Sequence, residues 1–529
     1  MTMDRKRNAV RDPEDSQDGK PAESPVGLRH SVLRGITWAM LIYGAQVAAQ
    51  LVFISILARL LTPYEYGVMA AAAVFIMFAQ YFTNLGLNSA IIQIPTLDWR
   101  MQRVAYGMVV VLSCLCCAIM FFVAPAAVVW FRNPNLEPVV RTLSLIFLFR
   151  AGSALASSIL FRALRARDVY TSQLVSTIAA NLLVTIPMAL LGYSYWSLVM
   201  GTLAQEAVRS VILRLFAKTP AIPVFSLSES RELLKSSGSF SVAGILTFIS
   251  MQADNMIVGR FMGAASLGLY SRAYNLMNLP YSVYGTVADR TVFPAMASVQ
   301  NELSRLKTAY AQGLALTAFI GIPLSVFLWV SSPELIRVIF GAKWLGAVVP
   351  FQILALSMYF RVSGRVSSTS LSSRGRLTYV MITNFLQAAL VAGGCLLTYP
   401  YGLPAVAWAV TATFIVGFAV VSACASRDLG QSLAAFAGTQ WRGLALGLLV
   451  LGIDEAARAA SAMAHAPAAA TLGASVLACG IAVVTAMLLA PKIFVGPAVG
   501  KVIDAALDLA RRQRDKFRQG KSAPAAGSD

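Results

Sequence analysis

Charged residues are scarce in this sequence. Of its 529 residues only 13% are charged, while 57% are apolar and the mean hydropathy is +0.67. Soluble globular domains carry roughly 25% charged residues, and a soluble chain of this length would need several domains with far more polar surface. The composition therefore argues against a soluble protein and indicates an integral membrane protein.

Histidine is nearly absent, and so are the common catalytic motifs. His30 and His465 are the two histidines, and no C-x-x-C pair lies beside a histidine cluster. The sequence has no Walker A phosphate-binding loop and no G-x-S-x-G nucleophile motif. We expect no metal, no cofactor and no disulfide framework, with the six cysteines packed inside apolar helices. A transporter is favoured over an enzyme.

Long apolar runs recur from one end of the chain to the other. A helix that crosses a bilayer needs about 20 mostly apolar residues, and these runs lack the alternation of a β-barrel. The fold class is therefore all-α, with about fourteen membrane spans. The predicted spans are 36–58, 66–86, 104–130, 142–161, 173–192, 194–213, 237–259, 266–288, 311–331, 344–364, 377–398, 403–425, 441–460 and 469–490; the last two could be one span.

Basic residues predict the orientation, because cytoplasmic loops are enriched in Lys and Arg. With the N-terminus inside, 33 of the 43 basic residues fall on the inner side and seven on the outer side. This count places Arg361 and Arg365 in the inner loop after the tenth span. It predicts that both termini are cytoplasmic. The scattered basic residues do not predict nucleic-acid binding, since attraction to anionic lipid headgroups explains them.

A faint internal repeat divides the chain. Ile56, Arg59 and Gly67 recur as Ile257, Arg260 and Gly268, at a constant offset of 201 residues. Six helices separate the two copies, so the halves have the same orientation. The predicted units are a disordered tail (1–30), a six-helix bundle (31–216), a cytoplasmic linker (217–236), a second six-helix bundle (237–425), an additional helix pair (426–495) and a basic tail (496–529). Within this last tail, 498–518 could form an amphipathic helix or a solvated coil.

The sequence from about residue 31 to 425 resembles the bacterial polysaccharide transporters, a family of oligosaccharide flippases similar to Wzx and WzxC. The resemblance rests on the segments 57–67 (LARLLTPYEYG), 84–93 (NLGLNSAIIQ) and 253–263 (ADNMIVGRFMG), with LGLYSRAY at 267–274. It implies the fold of the multidrug/oligosaccharidyl-lipid/polysaccharide exporter superfamily and a bacterial inner membrane. The implied cargo is an oligosaccharide repeat unit on undecaprenyl diphosphate. Implied partners are membrane lipid, a glycan polymerase and chain-length or export proteins.

Five arginines in or near the spans are candidate ligands for the phosphates of such a cargo, since guanidinium matches phosphate oxygens. Arg150 is the foremost, at mid-span; its alternative is a pair with Glu206. Arg209 lies three residues after Glu206, where an ion pair between the two is the favoured alternative. Arg272 either lines a central cavity or reaches the outer interface. Arg59 and Arg260 either cap helix ends or bind phosphate at the exit.

Two intramembrane carboxylates, Asp254 and Glu206, are candidates for coupling to protons or sodium. The alternative for Asp254 is a salt bridge to Arg260 or Arg272. Tyrosines at 270, 274, 281 and 284 recur near one helical face, although Pro280 predicts a break there; packing or an interfacial position is their simplest role.

Three alternatives to a lipid-linked oligosaccharide flippase remain open. A drug/cation antiporter of the same fold is disfavoured by the excess of intramembrane Arg over acid. A lipid II flippase is compatible with the same pattern. A membrane glycan polymerase is disfavoured, because no predicted outer loop exceeds about fifteen residues.

Overall fold

The computed structural model describes residues 25–84, 98–219, 223–224, 226 and 239–489, with positions 494 and 500. Its first part contains α1 (Pro25–Leu60), α2 (Pro63–Asn84), α3 (Trp99–Phe131), α4 (Leu136–Ser144), α5 (Ile146–Arg162), α6 (Ala166–Ala180), α7 (Ile186–Leu190) and α8 (Trp196–Ala217). A π-turn, Asn181–Thr185, joins α6 to α7.

The second part contains α9 (Ser239–Ser298), α10 (Leu303–Val330), α11 (Ser332–Ile339), α12 (Val348–Ser373), α13 (Leu377–Thr398), α14 (Leu403–Leu429), α15 (Leu433–Gly438), α16 (Trp441–Met463) and α17 (Ala468–Leu489). Short 3₁₀ turns, Ala342–Ala347 and Tyr399–Tyr401, precede α12 and α14.

The prediction of an all-α membrane protein is confirmed. Each of the fourteen predicted spans overlaps a helix, and nine helical segments among the described residues are long and apolar enough to cross a bilayer. The segment 441–490 forms two helices, α16 and α17, of which α17 is among the segments long and apolar enough to cross a bilayer; whether it makes one span or two stays open. The count of fourteen membrane crossings stays a prediction, as do the domain boundaries.

Two sequence expectations need correction. The tail expected through residue 30 is helical from Pro25, since proline is well placed in the first turn of a helix. The break expected at Pro280 lies at Gly263, whose φ of 82° belongs to the left-handed region. Helix α9 passes through Pro280, as membrane helices do when neighbouring groups satisfy the freed carbonyls. The linker 217–236 and the tail 496–529 lie largely outside the described residues.

The two repeated segments cross each other at one end of the molecule. We call this the sealed end, defined by the α1–α2 connection (residues 60–63) and the turn of α9 at residues 262–264. The largest hydrophobic cluster spans both halves here, with Leu57, Leu61, Ile257 and Leu267 buried in one core. The core is thus shared between the halves.

The additional helix pair packs on the second half. In α16, Gly443 and Gly447 form a G-x-x-x-G motif that lies against Ala318 and Ile322 of α10. Small residues at this spacing let helix backbones approach closely in a membrane. Near the sealed end, buried Asp454 accepts a 2.8 Å hydrogen bond from Ser331, which ties α16 to the end of α10.

Candidate functional site

A cavity of about 300 Å³ lies between the halves, bordered by α1 and the second part of α9. Its polar lining consists of Gln50, Arg272, Asn275, Asn278 and Ser282. Arg272 is the charged group among the described lining residues. A cationic and hydrogen-bonding cavity within an apolar bundle suits a polar, anionic ligand.

Arg272 lines this cavity from α9. Its guanidinium carbon lies 4.5 Å from the ring centroid of Tyr66, which belongs to the first half. Its Nε is buried without a hydrogen-bond partner in the described structure. Tyr66 in turn packs edge-on against Trp344, at 5.2 Å between centroids. This cation–π contact therefore holds the guanidinium where the two halves meet.

Arg150, Glu206 and Arg209 come together on α5 and α8. The Glu206 carboxylate oxygen Oε1 lies 3.4 Å from Arg150 Nη2 and 3.4 Å from Arg209 Nη1. Glu206 is buried, and its second oxygen, Oε2, has no hydrogen-bond partner in the described structure. The sequence predicts that Glu206 pairs with Arg150 or with Arg209. In the structure it contacts both. The cluster carries one net positive charge.

Asp254 forms neither of the salt bridges weighed for it. Its carboxylate accepts hydrogen bonds from the Tyr270 hydroxyl and from the backbone N–H of Asn255, each at 2.8 Å. No basic side chain of the described chain lies within 4.0 Å of it, because Arg260 and Arg272 are held by groups of the first half. Asp254 is 2% exposed, so it is a buried carboxylate held by neutral donors.

Arg59 and Arg260 bind across the halves at the sealed end. Arg59 Nη2 donates to the carbonyl of Val338 near the end of α11, at 3.0 Å. Arg260 Nη1 donates to the carbonyls of Val129 and Trp130 in the last turn of α3, at 2.6 Å each. Each arginine therefore caps a helix of the other half, whereas the sequence analysis placed the capping at its own helix end.

Two arginines are not among the candidates that the sequence offers. The basic-residue count assigns Arg361 and Arg365 to a loop, but α12 continues to Ser373 and carries both. They line a separate cavity within the second half, together with Tyr281, Asn384 and Gln387. The serine-rich stretch 363–373 resembles a loop in composition. In the structure its hydroxyls bond to carbonyls and to one another, as Ser373 does to Ser370.

The tyrosines divide between packing and these cavities. Tyr270 and Tyr274 are buried, and Tyr270 holds Asp254. The Tyr281 hydroxyl accepts a 3.1 Å hydrogen bond from Arg365, and this residue lines the second of the two cavities. The side chain of Tyr284 lies outside the described residues.

The sequence of this chain matches a known protein family and several known proteins. The family model described as "polysaccharide biosynthesis protein" matches residues 56–349. The lipopolysaccharide biosynthesis protein WzxC of Escherichia coli is 23% identical over 380 residues, covering 70% of this chain and 76% of that protein. The succinoglycan biosynthesis transport protein ExoT of Rhizobium meliloti is 27% identical over 331 residues, covering 62% of this chain and 66% of that protein.

Solved structures show the same fold. The lipid II flippase MurJ, in an inward closed conformation, superposes with a TM-score of 0.69 at 14% identity, covering 87% of this chain and all of that one. An inward-facing multidrug resistance transporter of the MATE family superposes with a TM-score of 0.62 at 15% identity, covering 73% of this chain and 94% of that one. The likeness establishes the exporter fold.

Proposed function

The chain belongs to the polysaccharide biosynthesis protein family, and from this membership we propose that it is a flippase for lipid-linked oligosaccharides. Its cargo is an oligosaccharide repeat unit on undecaprenyl diphosphate, carried from the cytoplasmic to the periplasmic leaflet of the bacterial inner membrane. The product feeds polysaccharide assembly, which brings the protein near a glycan polymerase and export proteins. Relatives named for lipopolysaccharide and succinoglycan biosynthesis support this proposal.

The cavity around Arg272 is the observation that carries the proposal. A lipid-linked oligosaccharide needs a polar, cationic path for its head, while its prenyl chain stays in lipid. Arg272 supplies the cation, and Asn275, Asn278 and Gln50 supply hydrogen bonds for phosphate and sugar oxygens. Leu51 and Ile54 border the same cavity and offer an apolar edge.

Alternating access follows from the two halves. The bias of basic residues places both termini in the cytoplasm, so the sealed end faces the periplasm. The bonds of Arg59 and Arg260 then close the periplasmic side while cargo enters from the cytoplasmic leaflet. Release requires these bonds to break as one half rocks against the other.

The charge of the cavity separates the alternatives. A drug/cation antiporter is disfavoured, because Arg272 would repel a cationic drug in the cavity that it lines. A lipid II flippase would use the same phosphate chemistry, and MurJ has a similar fold; the family match favours polysaccharide precursors. A polymerase or another enzyme is disfavoured, because the similar protein ExoT is named as a transport protein.

A genetic test addresses this proposal directly. Deleting the gene should abolish surface polysaccharide and cause lipid-linked repeat units to accumulate on the cytoplasmic side. Wild-type protein and Arg305→Ala should restore export, since Arg305 is an exposed residue paired with Glu302. Arg272→Ala should insert normally yet restore little or none. Full export with Arg272→Ala would contradict the role of the cavity, and unchanged polysaccharide in the deletion strain would contradict the function.

A further inference from the structure

A second cavity lies wholly within the second half, between α9, α12, α13 and α14. It has a volume of about 270 Å³ and shares no lining residue with the cavity around Arg272. Arg361 and Arg365 line it from α12, one helical turn apart. The transport path described above makes no use of these residues.

Arg361 is a buried cation held by aromatic rings. Its guanidinium carbon lies 4.4 Å from the ring centroid of Phe414, 4.7 Å from that of Tyr281 and 5.2 Å from that of Tyr274. The side chain is 9% exposed, and no carboxylate of the described chain lies within 4.0 Å of it. A charge in such a position is expensive to keep unless it serves a ligand or a distant partner.

The guanidinium retains donors for a ligand. Arginine has five N–H donors; one of those of Arg361 contacts the Met277 sulfur at 3.6 Å, and the side chain also donates to the Tyr274 hydroxyl, which leaves further donors. Arg365 donates to the Tyr281 hydroxyl and so keeps that ring in place beside Arg361. A planar guanidinium fixed by rings is preorganised to bind an oxyanion through two parallel hydrogen bonds.

The opposite wall suits hydroxyl groups. Asn384 and Gln387 lie one turn apart on α13 and line the cavity with their amide side chains, while Phe360 and Phe418 supply aromatic surface. Amides both donate and accept hydrogen bonds, as sugar hydroxyls require. The volume is slightly below the range of about 300–1,000 Å³ typical of ligand pockets, so a single sugar unit fits better than a whole repeat unit.

We propose that this cavity binds one acidic sugar unit of the cargo, with the carboxylate on Arg361 and the hydroxyls on Asn384 and Gln387. The inference rests on the proposed flippase function and deepens it: the transported glycan contains a carboxylated sugar. Arg361 has no carboxylate of the described residues within salt-bridge distance, and a carboxylate offers its planar guanidinium two parallel acceptor oxygens.

Binding is tested on the purified full-length protein without any transport step. Thermal unfolding is followed while sodium D-glucuronate is raised through the millimolar range, with D-glucose, sodium chloride and sodium phosphate as separate probes at matched ionic strength. Glucuronate should raise the unfolding midpoint by about 2 °C or more once it is in large excess over its Kd. Glucose and chloride should leave the midpoint unchanged.

Matched variants locate the site. Arg361→Gln should abolish the glucuronate response, and Arg305→Gln, on the exposed surface, should keep it. Should Arg361→Gln fail to fold, Gln387→Leu serves instead, because it removes an amide that would bind the sugar hydroxyls and leaves the buried charge of Arg361 in place. An equal glucuronate response in Arg361→Gln or Gln387→Leu would overturn the proposal, as would no response in the wild type.

The probes also separate this proposal from the one on which it rests. If the protein responds to phosphate but not to glucuronate, and Arg361→Gln loses that response, the cavity binds phosphate rather than a sugar carboxylate. This result would overturn the acidic-sugar assignment. Normal export in the Arg361→Gln strain, together with no glucuronate response of the wild-type protein, would overturn this site while leaving the flippase intact. Failure of the gene deletion to affect polysaccharide would instead overturn the function.

Discussion

Gly67 and Gly268 pack against each other's helices, although 201 residues separate them in the chain. A Cβ atom at Gly67 would overlap the carbonyl of Ala264, and one at Gly268 would overlap the carbonyl of Pro63 and lie 3.1 Å from the backbone nitrogen of Gly67. Ala264 is the repeat equivalent of Pro63, so the contact is reciprocal. The two halves are thus related at this point as partners in a two-fold interface.

Gly67→Ala should destabilise the sealed end, because neither backbone can retreat from the added methyl group. We expect a loss of about 1–3 kcal/mol, typical of overpacking, and a lower unfolding midpoint in detergent. Gly44→Ala is the matched control, since its Cβ would meet nothing within 4 Å and alanine favours the helix. Equal midpoints for the two variants would show that the crossing is not close-packed.

Arg59→Gln and Arg260→Gln should each favour opening of the sealed end. A hydrogen bond from a charged donor contributes about 1.5–3 kcal/mol, so losing the Arg59 bond should raise the open population by about tenfold or more. The readout is labelling of Leu61→Cys, in a background without native cysteines, by a membrane-impermeant thiol reagent; Leu61 is 2% exposed.

Arg132→Gln, an exposed change at the same end, is the control for this labelling experiment. It should leave the labelling rate at the level of the parent protein. If Arg59→Gln and Arg260→Gln label no faster than Arg132→Gln, their bonds to the opposite half do not hold the end closed.

Arg150→Ala should abolish polysaccharide export while the protein still inserts. Removing Arg150 leaves Glu206 paired with Arg209, so no buried carboxylate is left without a cation and the fold should tolerate the change. The measurement compares surface polysaccharide with the amount of protein in the membrane. Normal export by this variant would assign Arg150 to a structural role.

Asp254→Asn should weaken ion-driven export with little change in stability. Asparagine is nearly isosteric: its single carbonyl oxygen can accept from the Asn255 backbone while its NH2 group donates to the Tyr270 hydroxyl, but it can no longer bind or release a proton or attract sodium. Transport into proteoliposomes under an imposed proton or sodium gradient reports the effect. An unchanged dependence on the gradient would remove Asp254 as the coupling group.

The sequence predicts the repeat but not what its members contact. Arg59, Arg260, Gly67 and Gly268 can be recognised by their constant spacing, and the helical class follows from hydropathy. The groups that they contact cannot be recognised in the sequence, because Val338 and Val129 are ordinary apolar residues that contribute only backbone carbonyls. A backbone acceptor leaves no signature in residue identity.

Arg361 escaped prediction for a different reason. The run of serines from 363 to 373 lowers the local hydropathy, so the predicted span ends at 364, and Arg361, three residues before that end, is counted with Arg365 in the loop. In the structure Ser367 bonds with Tyr310 and Ser422, which makes a polar helix stable in the bundle. The buried neighbours Val366 and Leu371, on the same helix, were the signal that α12 continues.

Flipping of a lipid-linked oligosaccharide by the purified protein tests the central claim most directly. Proteoliposomes would carry undecaprenyl-diphosphate oligosaccharide in both leaflets, and a glycosidase added outside would measure how much becomes accessible with time. We predict that wild-type protein exposes nearly all of the substrate, whereas vesicles with Arg272→Ala expose only the outer-leaflet fraction, about half. The same half-exposure with wild-type protein as with empty vesicles would contradict the account.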